Sequence, residues 1–381
     1  MSVERIFNIH FGEIALKGKN RRIFEQKLID NIKSATGSKK IKSVHGRLLL
    51  YPENKDSEGI AKALEKTFGI EWFSESFYTG NSLEELSDVI IKGCKNLKES
   101  AIKLETKRSD KTYPLTSPEI NQKVGLTLEK SGFKVDLKNP QKIIYIEILK
   151  DSAVISTDKK RGLGGLPVGS SGRVLSLLSG GIDSPVASWL MMKRGCTVDF
   201  LHLHAFPTNE KAMESKIIPL VKKLKEYHPP KIKLFLVPYG AFYEKSFEIS
   251  PKNELVVFRR FILHIANRLA EKNGYLGFVT GDSIGQVASQ TIENLYTTNE
   301  AADYPVYRPL IGYDKKEIID LAERIGTYQI SIEKYKDCCS LVAEKHPSTK
   351  VKLETARMIE KNIRIEEVVD KAIQNMSVVE F

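Results

Sequence analysis

Residues 176–185 read SLLSGGIDSP, an apolar run that breaks at Ser179-Gly180-Gly181 and resumes behind an acid and a hydroxyl, Asp183 and Ser184. Two glycines let a backbone approach an anion closely and turn several N–H groups toward it. A helix starting near Ser184-Pro185 would add its positive N-terminal end, and proline suits a first helical turn. The Ser179 and Ser184 hydroxyls supply further donors, and Asp183 could hold magnesium or orient a triphosphate. The pattern reads as a phosphate cradle. Its spacing is neither GxxxxGK[ST] nor GxGxxG, and no lysine stands where a γ-phosphate would need one, which disfavours kinase and GTPase chemistry. An ordinary strand-to-helix connection is the plainer alternative for so short a motif.

A second chemistry is suggested by Cys338-Cys339 in KDCCSLVAEKHPSTK. Nucleophilic thiol chemistry needs an exposed thiolate, and Lys336 and Lys345 nearby would lower a thiol pKa. Cys94 and Cys196 read as structural. With four cysteines, no CxxC and no His/Cys cluster, the chain offers no disulfide scaffold, structural zinc pattern or iron–sulfur ligand set.

The elements that must position these residues fall into two styles. In the first half, RIFNIHFGEIAL and SVHGRLLLYP read as strands, and NRRIFEQKLIDNIKSA as a helix with Ile23, Phe24, Leu28, Ile29 and Ile32 on one face. A further α+β unit opens near Ser74, its last strands KVDLKN and KIIYIEILKDSAVIST. The glycine-rich KKRGLGGLPVGSSG, 159–172, reads as a boundary. Beyond it, the apolar strands RVLSLLS, TVDFLHLHAF, KIKLFLVPYG and YLGFVTG alternate with helices beginning near Ser184, Met213 and Glu254, and the chain ends in a helical tail. That alternation predicts a doubly wound parallel sheet, whose ligands bind at the carboxyl ends of strands. The Ser-Gly-Gly turn follows the first of them.

The net charge of +11 is unevenly divided. Residues 1–175 carry 31 Lys and Arg against 22 Asp and Glu, whereas residues 176–381 carry 28 against 26. The excess in the first half fits either a polyanion-binding module or a merely soluble basic surface. Lys17, Lys19, Arg21 and Arg22 form one basic cluster; Lys107, Arg108 and Lys111, followed by Tyr113, form another. No apolar stretch is long enough for a membrane span, and the N-terminus lacks a signal pattern, so the expected location is the cytoplasm.

SGGIDS resembles the pyrophosphate-loop (PP-loop) motif of ATP pyrophosphatases, which split ATP between its α- and β-phosphates to adenylate a substrate. Longer blocks sharpen this: GEIALKGKNRRIFEQKL, ETKRSDKTYPLTSPEIN, LPVGSSGRVLSLLSGGIDSPVA, VTGDSIGQVASQTIENL and YRPLIGYDKKEIIDLAERIGT. Through them the chain resembles the tRNA 4-thiouridine synthase (tRNA sulfurtransferase) family, in the short form that lacks a rhodanese domain. The resemblance implies an α/β fold in which N-terminal ferredoxin-like (1–73) and THUMP RNA-binding (74–165) α+β domains precede a doubly wound, parallel-sheet PP-loop ATP pyrophosphatase domain (172–381). It implies that ATP, with Mg2+, adenylates the C4 oxygen of uridine 8 in tRNA. Sulfur from a cysteine persulfide then displaces AMP.

By the same resemblance, Asp183 and Lys315 are catalytic, with either Cys338 or Cys339 as the acting cysteine, and Asp183 and Asp282 hold the metal. Nucleotide contacts fall on Leu177, Leu178, Ser179, Gly180, Gly181, Ser184, His202, Leu203, Arg259, Gly281 and Gln290. The two basic clusters would hold the acceptor region of tRNA. A homodimer is implied. Without a rhodanese domain, sulfur must come from a cysteine desulfurase, a separate rhodanese or free sulfide, and a role in thiazole synthesis is not expected. Read from the residues alone, His202 is more often a core histidine, Arg259 and Arg260 suit a solvated helix face as well as a phosphate contact, and Asp282, at a strand end, suits a magnesium ligand or, nearly as well, a helix N-cap. Two rival functions are another adenylating enzyme, making a 2-thiolated tRNA or an amide, and an RNA-binding protein whose ATP site is vestigial.

Overall fold

The structure, a computed structural model, describes residues 4–53, 56–335, 338, 342 and 347–381. Cys339, Lys336 and Lys345 lie outside them. The chain forms two compact units, residues 1–167 and 168–381.

In the first unit, β1 (Glu4–His10), α1 (Arg21–Thr36), β2 (Lys40–Val44), β3 (Arg47–Tyr51) and α2 (Ser57–Glu65) lead to β4 (Trp72–Thr79). There follow α3 (Leu83–Gly93), β5 (Ala101–Arg108), α4 (Ser117–Lys130), β6 (Lys134–Val135), β7 (Lys142–Ile148), β8 (Ala153–Ser156) and β9 (Lys160–Arg161). One sheet runs β2-β3-β1-β4-β8-β7-β5-β6, with β9 beside β4. Strand β4 pairs with β1 along its length and with β8 through Ser76–Thr79. Two helix-covered cores form on the sheet, besides a smaller cluster of Ile6, Leu49, Tyr51, Leu149 and Val154. Phe7, Ile9, Leu48, Leu50 and Phe73 pack with Leu28 and Ile32 of α1, while Ile102, Leu104, Ile144 and Ile146 pack with α3 and α4. Capping boxes, Ser82 with Glu85 and Thr116 with Glu119, start α3 and α4. Two expectations need correction. Ile23 is 67% exposed rather than part of the α1 stripe. The glycine-rich boundary is not all linker, because Lys160 and Arg161 pair with β4 and Gly164 exchanges backbone hydrogen bonds with Gly69 and Ile70.

The second unit comprises β10 (Arg173–Leu177), α5 (Asp183–Lys193), β11 (Thr197–His204), α6 (Asn209–Met213), α7 (Ile217–Lys225), β12 (Lys233–Pro238), α8 (Gly240–Ser246) and α9 (Pro251–Asn273). It continues with β13 (Phe278–Val279), α10 (Ile292–Asn299), β14 (Val306–Tyr307), α11 (Lys315–Ile325), α12 (Tyr328–Ser331), helices Leu353–Asn362 and Ile365–Gln374, and β15 (Ser377–Glu380). The sheet order is β14-β13-β10-β11-β12-β15, parallel except for β15. Helices cover both faces. On one, Leu175, Leu201, Leu203, Phe235 and Val237 pack against Val257, Phe258 and Phe261 of α9; on the other, Ser176 Oγ meets Ser188 Oγ of α5 at 2.7 Å. This is the expected doubly wound sheet. The expected helical tail is corrected at its end, where β15 turns back antiparallel onto β12. The chain leaves β10 toward β11 on one side and returns as β13 on the other, so the switch point lies between β10 and β13. Among the described residues, no helix is long and apolar enough to cross a membrane.

Candidate functional site

At that switch point two hydroxyls set the turn after β10. Ser184 Oγ accepts from the Ser179 N–H at 2.9 Å and lies 3.0 Å from Ser179 Oγ, which itself accepts from the Gly181 N–H at 3.3 Å. Gly180 is tightly covered: a Cβ there would fall 2.6 Å from the Tyr335 ring. Gly281, after β13, allows closer contact still, since its Cβ would lie 2.7 Å from Ser184 N and 2.8 Å from the Asp183 carbonyl carbon. Asp183 opens α5, and its Oδ1 accepts from Lys315 Nζ at 2.6 Å. Lys315 is in turn fixed as the first residue of α11, which a capping box of Asp314 and Glu317 begins.

A cavity of about 380 Å³ opens beside this turn. Of the predicted residues, Leu177, Leu178, Ser179, Asp183, Ser184, Leu203, Arg259, Gly281, Asp282, Gln290 and Cys338 line it. Its walls are apolar on the α9 side, through Leu255, Phe258 and Ile262. Gln290 Oε1 is buried there without a hydrogen-bond partner, an acceptor suited to an amino group on a ligand.

Several assignments change. Asp282, 3% exposed, accepts at Oδ1 from Arg259 Nη2 at 2.5 Å, and at Oδ2 from Thr280 Oγ1 at 2.8 Å and Arg308 Nε at 3.3 Å. Burial pushes its pKa up, but Arg259, the Thr280 hydroxyl and Arg308 outweigh that and hold the carboxyl below its usual range. With both oxygens engaged it is the counter-ion of two guanidiniums and does not fit a metal ligand or a helix cap. Arg308 stood unnoticed within the block YRPL, and only the fold brings it to Arg259. Arg259 and Arg260 do not share a solvated face, because successive helical residues point about 100° apart. Arg259 reaches the cavity, whereas Arg260 is buried against Glu300 and Glu360. Among the described residues no three His, Cys, Asp or Glu side chains gather to hold a metal.

Strand alternation puts Leu201 and Leu203 on the cavity side and His202 on the other. His202 is a bonded core histidine, its Nδ1 2.8 Å from Leu178 O and its Nε2 2.7 Å from Tyr335 OH. Gly180, Gly181 and Lys315 also lie outside the cavity lining. Cys338 departs from the exposed setting expected of it: it is 1% exposed, part of the buried apolar core of this unit, at the cavity wall. Cys94 and Cys196 are buried, and burial pushes the Cys94 thiol up to about 11.

This geometry has close relatives. Residues 169–365 match the family model described as thiamine biosynthesis protein (ThiI), residues 6–74 the ThiI ferredoxin-like domain, and residues 81–158 the THUMP domain. A protein of Thermoanaerobacter sp. strain X514 named "Probable tRNA sulfurtransferase" is 40% identical over 374 residues, 97% of this chain and 98% of its own length. A protein of the same name from Coxiella burnetii is 40% identical, covering 98% of each chain. The crystal structure of a 4-thiouridine synthetase–RNA complex with bound ATP superposes with a TM-score of 0.91 at 34% identity, over 99% of this chain and 100% of that one. The chain belongs to the tRNA sulfurtransferase family. Its fold is accordingly ferredoxin-like, THUMP and PP-loop.

For a tRNA sulfurtransferase the first unit holds the basic surface of interest. Lys19, Arg22, Lys107 and Lys111 are exposed, and Lys17 lies partly over the Phe24 ring. Arg21 is paired with Glu25 at 2.5 Å, and Arg108 donates to the Tyr113 and Leu115 carbonyls at 3.2 and 2.9 Å, so these two shape the surface from within. The β2–β3 turn joins the clusters: Arg21 lies against Gly46, and Arg47 Nη2 donates to Ser109 Oγ at 3.1 Å. His10 records the local field, its pKa lowered to about 3 by burial and then by Arg47, Lys107 and Lys159. Sequence reasoning missed the aromatic part of this face. His10 stacks on Trp72 at 3.8 Å, and Lys159 sits 3.7 Å from the Tyr145 ring centre; only the sheet brings these four together.

Proposed function

We propose that the chain binds ATP in the cavity beside Ser179–Ser184 and uses it to adenylate the C4 oxygen of uridine 8 in tRNA. Uridine oxygen attacks the α-phosphorus and pyrophosphate departs. The outer sulfur of a cysteine persulfide then attacks C4 as AMP leaves with the former carbonyl oxygen, and a second thiol attacks the carrier sulfur, forming a disulfide, breaking the S–S bond and releasing 4-thiouridine. The observation that carries this is the placement of a serine–glycine turn, a helix N-terminus and Asp183 at one end of an apolar cavity at the switch point. The similar structure with RNA and bound ATP supports the same ligands.

Ser179, Gly180, Gly181 and the first N–H groups of α5 would hold the outer phosphates, where fixed dipoles stabilise departing pyrophosphate. Arg259 and Arg308 share one carboxylate, leaving net positive charge at the cavity for anionic groups. Gln290 would accept from the purine amino group. Magnesium fits Asp183, which would bind it together with the phosphates, as magnesium often does; bound there, it screens their charge. Lys315 holds that carboxylate in place. Cys338 at the cavity wall is within the reacting unit, while Cys339 remains a candidate by sequence. Lys17, Lys19, Arg22, Lys107 and Lys111 would contact tRNA phosphates, with Arg21 and Arg108 supporting them.

The test is incubation with tRNA, Mg-ATP and sulfide, followed by nucleoside mass spectrometry. 4-Thiouridine at position 8, absent without ATP, is expected. Pyrophosphate release with a 2-thiolated or amide product would transfer the chain to another adenylating reaction, and no ATP consumption with any RNA would leave a binding protein.

A further inference from the structure

The segment leading to Cys338 is tied to the back of the Ser-Gly-Gly turn. Leu178 O can only accept, so His202 Nδ1 carries the hydrogen across their 2.8 Å contact, and a neutral ring leaves Nε2 to accept from Tyr335 OH at 2.7 Å. The buried Lys216 adds a second tie, its Nζ donating to Ser331 O at 2.6 Å and Glu333 O at 2.8 Å. The Tyr335 ring and the Lys216 stem fill the space that a side chain at Gly180 would need. Burying an ammonium is costly unless its donors are satisfied, and two of its hydrogen bonds hold carbonyls of this one segment. Three residues after Tyr335, Cys338 lies against the cavity wall.

We propose that Tyr335, His202 and Lys216 are positioning residues that fasten the chain entering Cys338 to the phosphate-binding turn, and so fix the thiol at the cavity. The purpose rests on the sulfur-transfer reading; the restraint does not, and can be measured without turnover. The experiment alkylates the full-length protein with iodoacetamide and follows each cysteine by peptide mass spectrometry. Tyr335→Phe keeps the ring over Gly180 and loses only the hydroxyl; Lys216→Met removes the carbonyl donors, and Lys216→Arg restores them. Cys338 should react about tenfold faster in Tyr335→Phe and Lys216→Met, the shift expected when one buried hydrogen bond no longer opposes local opening, and near the wild-type rate in Lys216→Arg. Cys94 and Cys196 should stay unchanged in all three. An unchanged Cys338 rate in Tyr335→Phe and Lys216→Met overturns the proposal. So does a parallel rise at Cys196, which would show that the bonds hold the whole unit. Faster Cys338 alkylation in the variants, with no 4-thiouridine made by the wild-type protein, would sink the functional reading and leave the restraint standing; normal 4-thiouridine formation by the wild type with equal alkylation rates in all variants would do the reverse.

Discussion

Asp282 is charged, buried and yet not reactive. A lone carboxylate at 3% exposure would cost several kcal/mol, but two guanidiniums and a threonine hydroxyl repay that here. Its work is to hold Arg259 and Arg308 at the cavity. Gln290 presents the opposite case, a neutral side chain whose buried carbonyl oxygen is left without a donor. An unmet acceptor of this kind gains only when a ligand arrives. Gln290→Leu should therefore raise KM for ATP by about tenfold with kcat little changed, the signature of an interaction made equally in the ground and transition states. Steady-state pyrophosphate release checks this. A fall in kcat at constant KM would instead place Gln290 in the chemical step.

The meeting of β13 with the first turn of α5 decides where the phosphate-binding turn can sit. Gly281→Ala would put a methyl group against Ser184 N and the Asp183 carbonyl carbon, backbone atoms that cannot rotate away. Overpacking of this sort costs about 1–3 kcal/mol, and a thermal melt should show it. The loss of ATP affinity should exceed the loss of stability, because the displaced atoms belong to the cradle itself; calorimetric titration at a temperature where the variant stays folded separates the two. The strand–helix alternation that creates this junction was legible from sequence, since buried parallel strands read as apolar runs. The position of the serine–glycine turn was legible for the same reason, since it lies in one short stretch at the end of such a run. What was not legible depended on distant partners. Strand β15 is four residues that find an edge beside β12, more than a hundred residues away. Asp282 looked like an open acid because Arg259 and Arg308 lie 23 and 26 residues off. Cys338 looked exposed because the residues around it in sequence are polar, although the fold buries it in the apolar core of the second unit. Ile23 failed for the converse reason: periodicity put it on an apolar face, but the sheet covers only the part of α1 that carries Leu28 and Ile32.

Across the whole molecule, charge is allotted by task. Residues 1–175 hold nine of the eleven excess positive charges, and Lys19, Arg22, Lys107 and Lys111 are exposed there in two clusters joined through the β2–β3 turn. The residues after 175 are nearly neutral, and Arg259 and Arg308 bring positive charge to the cavity. A division of this kind separates affinity from chemistry: phosphate contacts set how tightly and in what register an RNA is held, while the cavity selects what is done to it. Affinity for tRNA should then depend steeply on salt. If Lys19, Arg22, Lys107 and Lys111 each neutralise one phosphate, raising salt from about 50 to 200 mM should weaken binding on the order of a hundredfold. Lys107→Gln with Lys111→Gln should reduce the slope of log affinity against log salt by about two, while ATP affinity is unchanged. Arg108→Gln should behave differently, because its guanidinium holds the Tyr113 and Leu115 carbonyls; it should lower affinity through loss of loop order and leave the salt slope nearly intact. Filter binding over a salt series distinguishes the two classes. A slope unmoved by the double lysine replacement would remove this face from the tRNA interface.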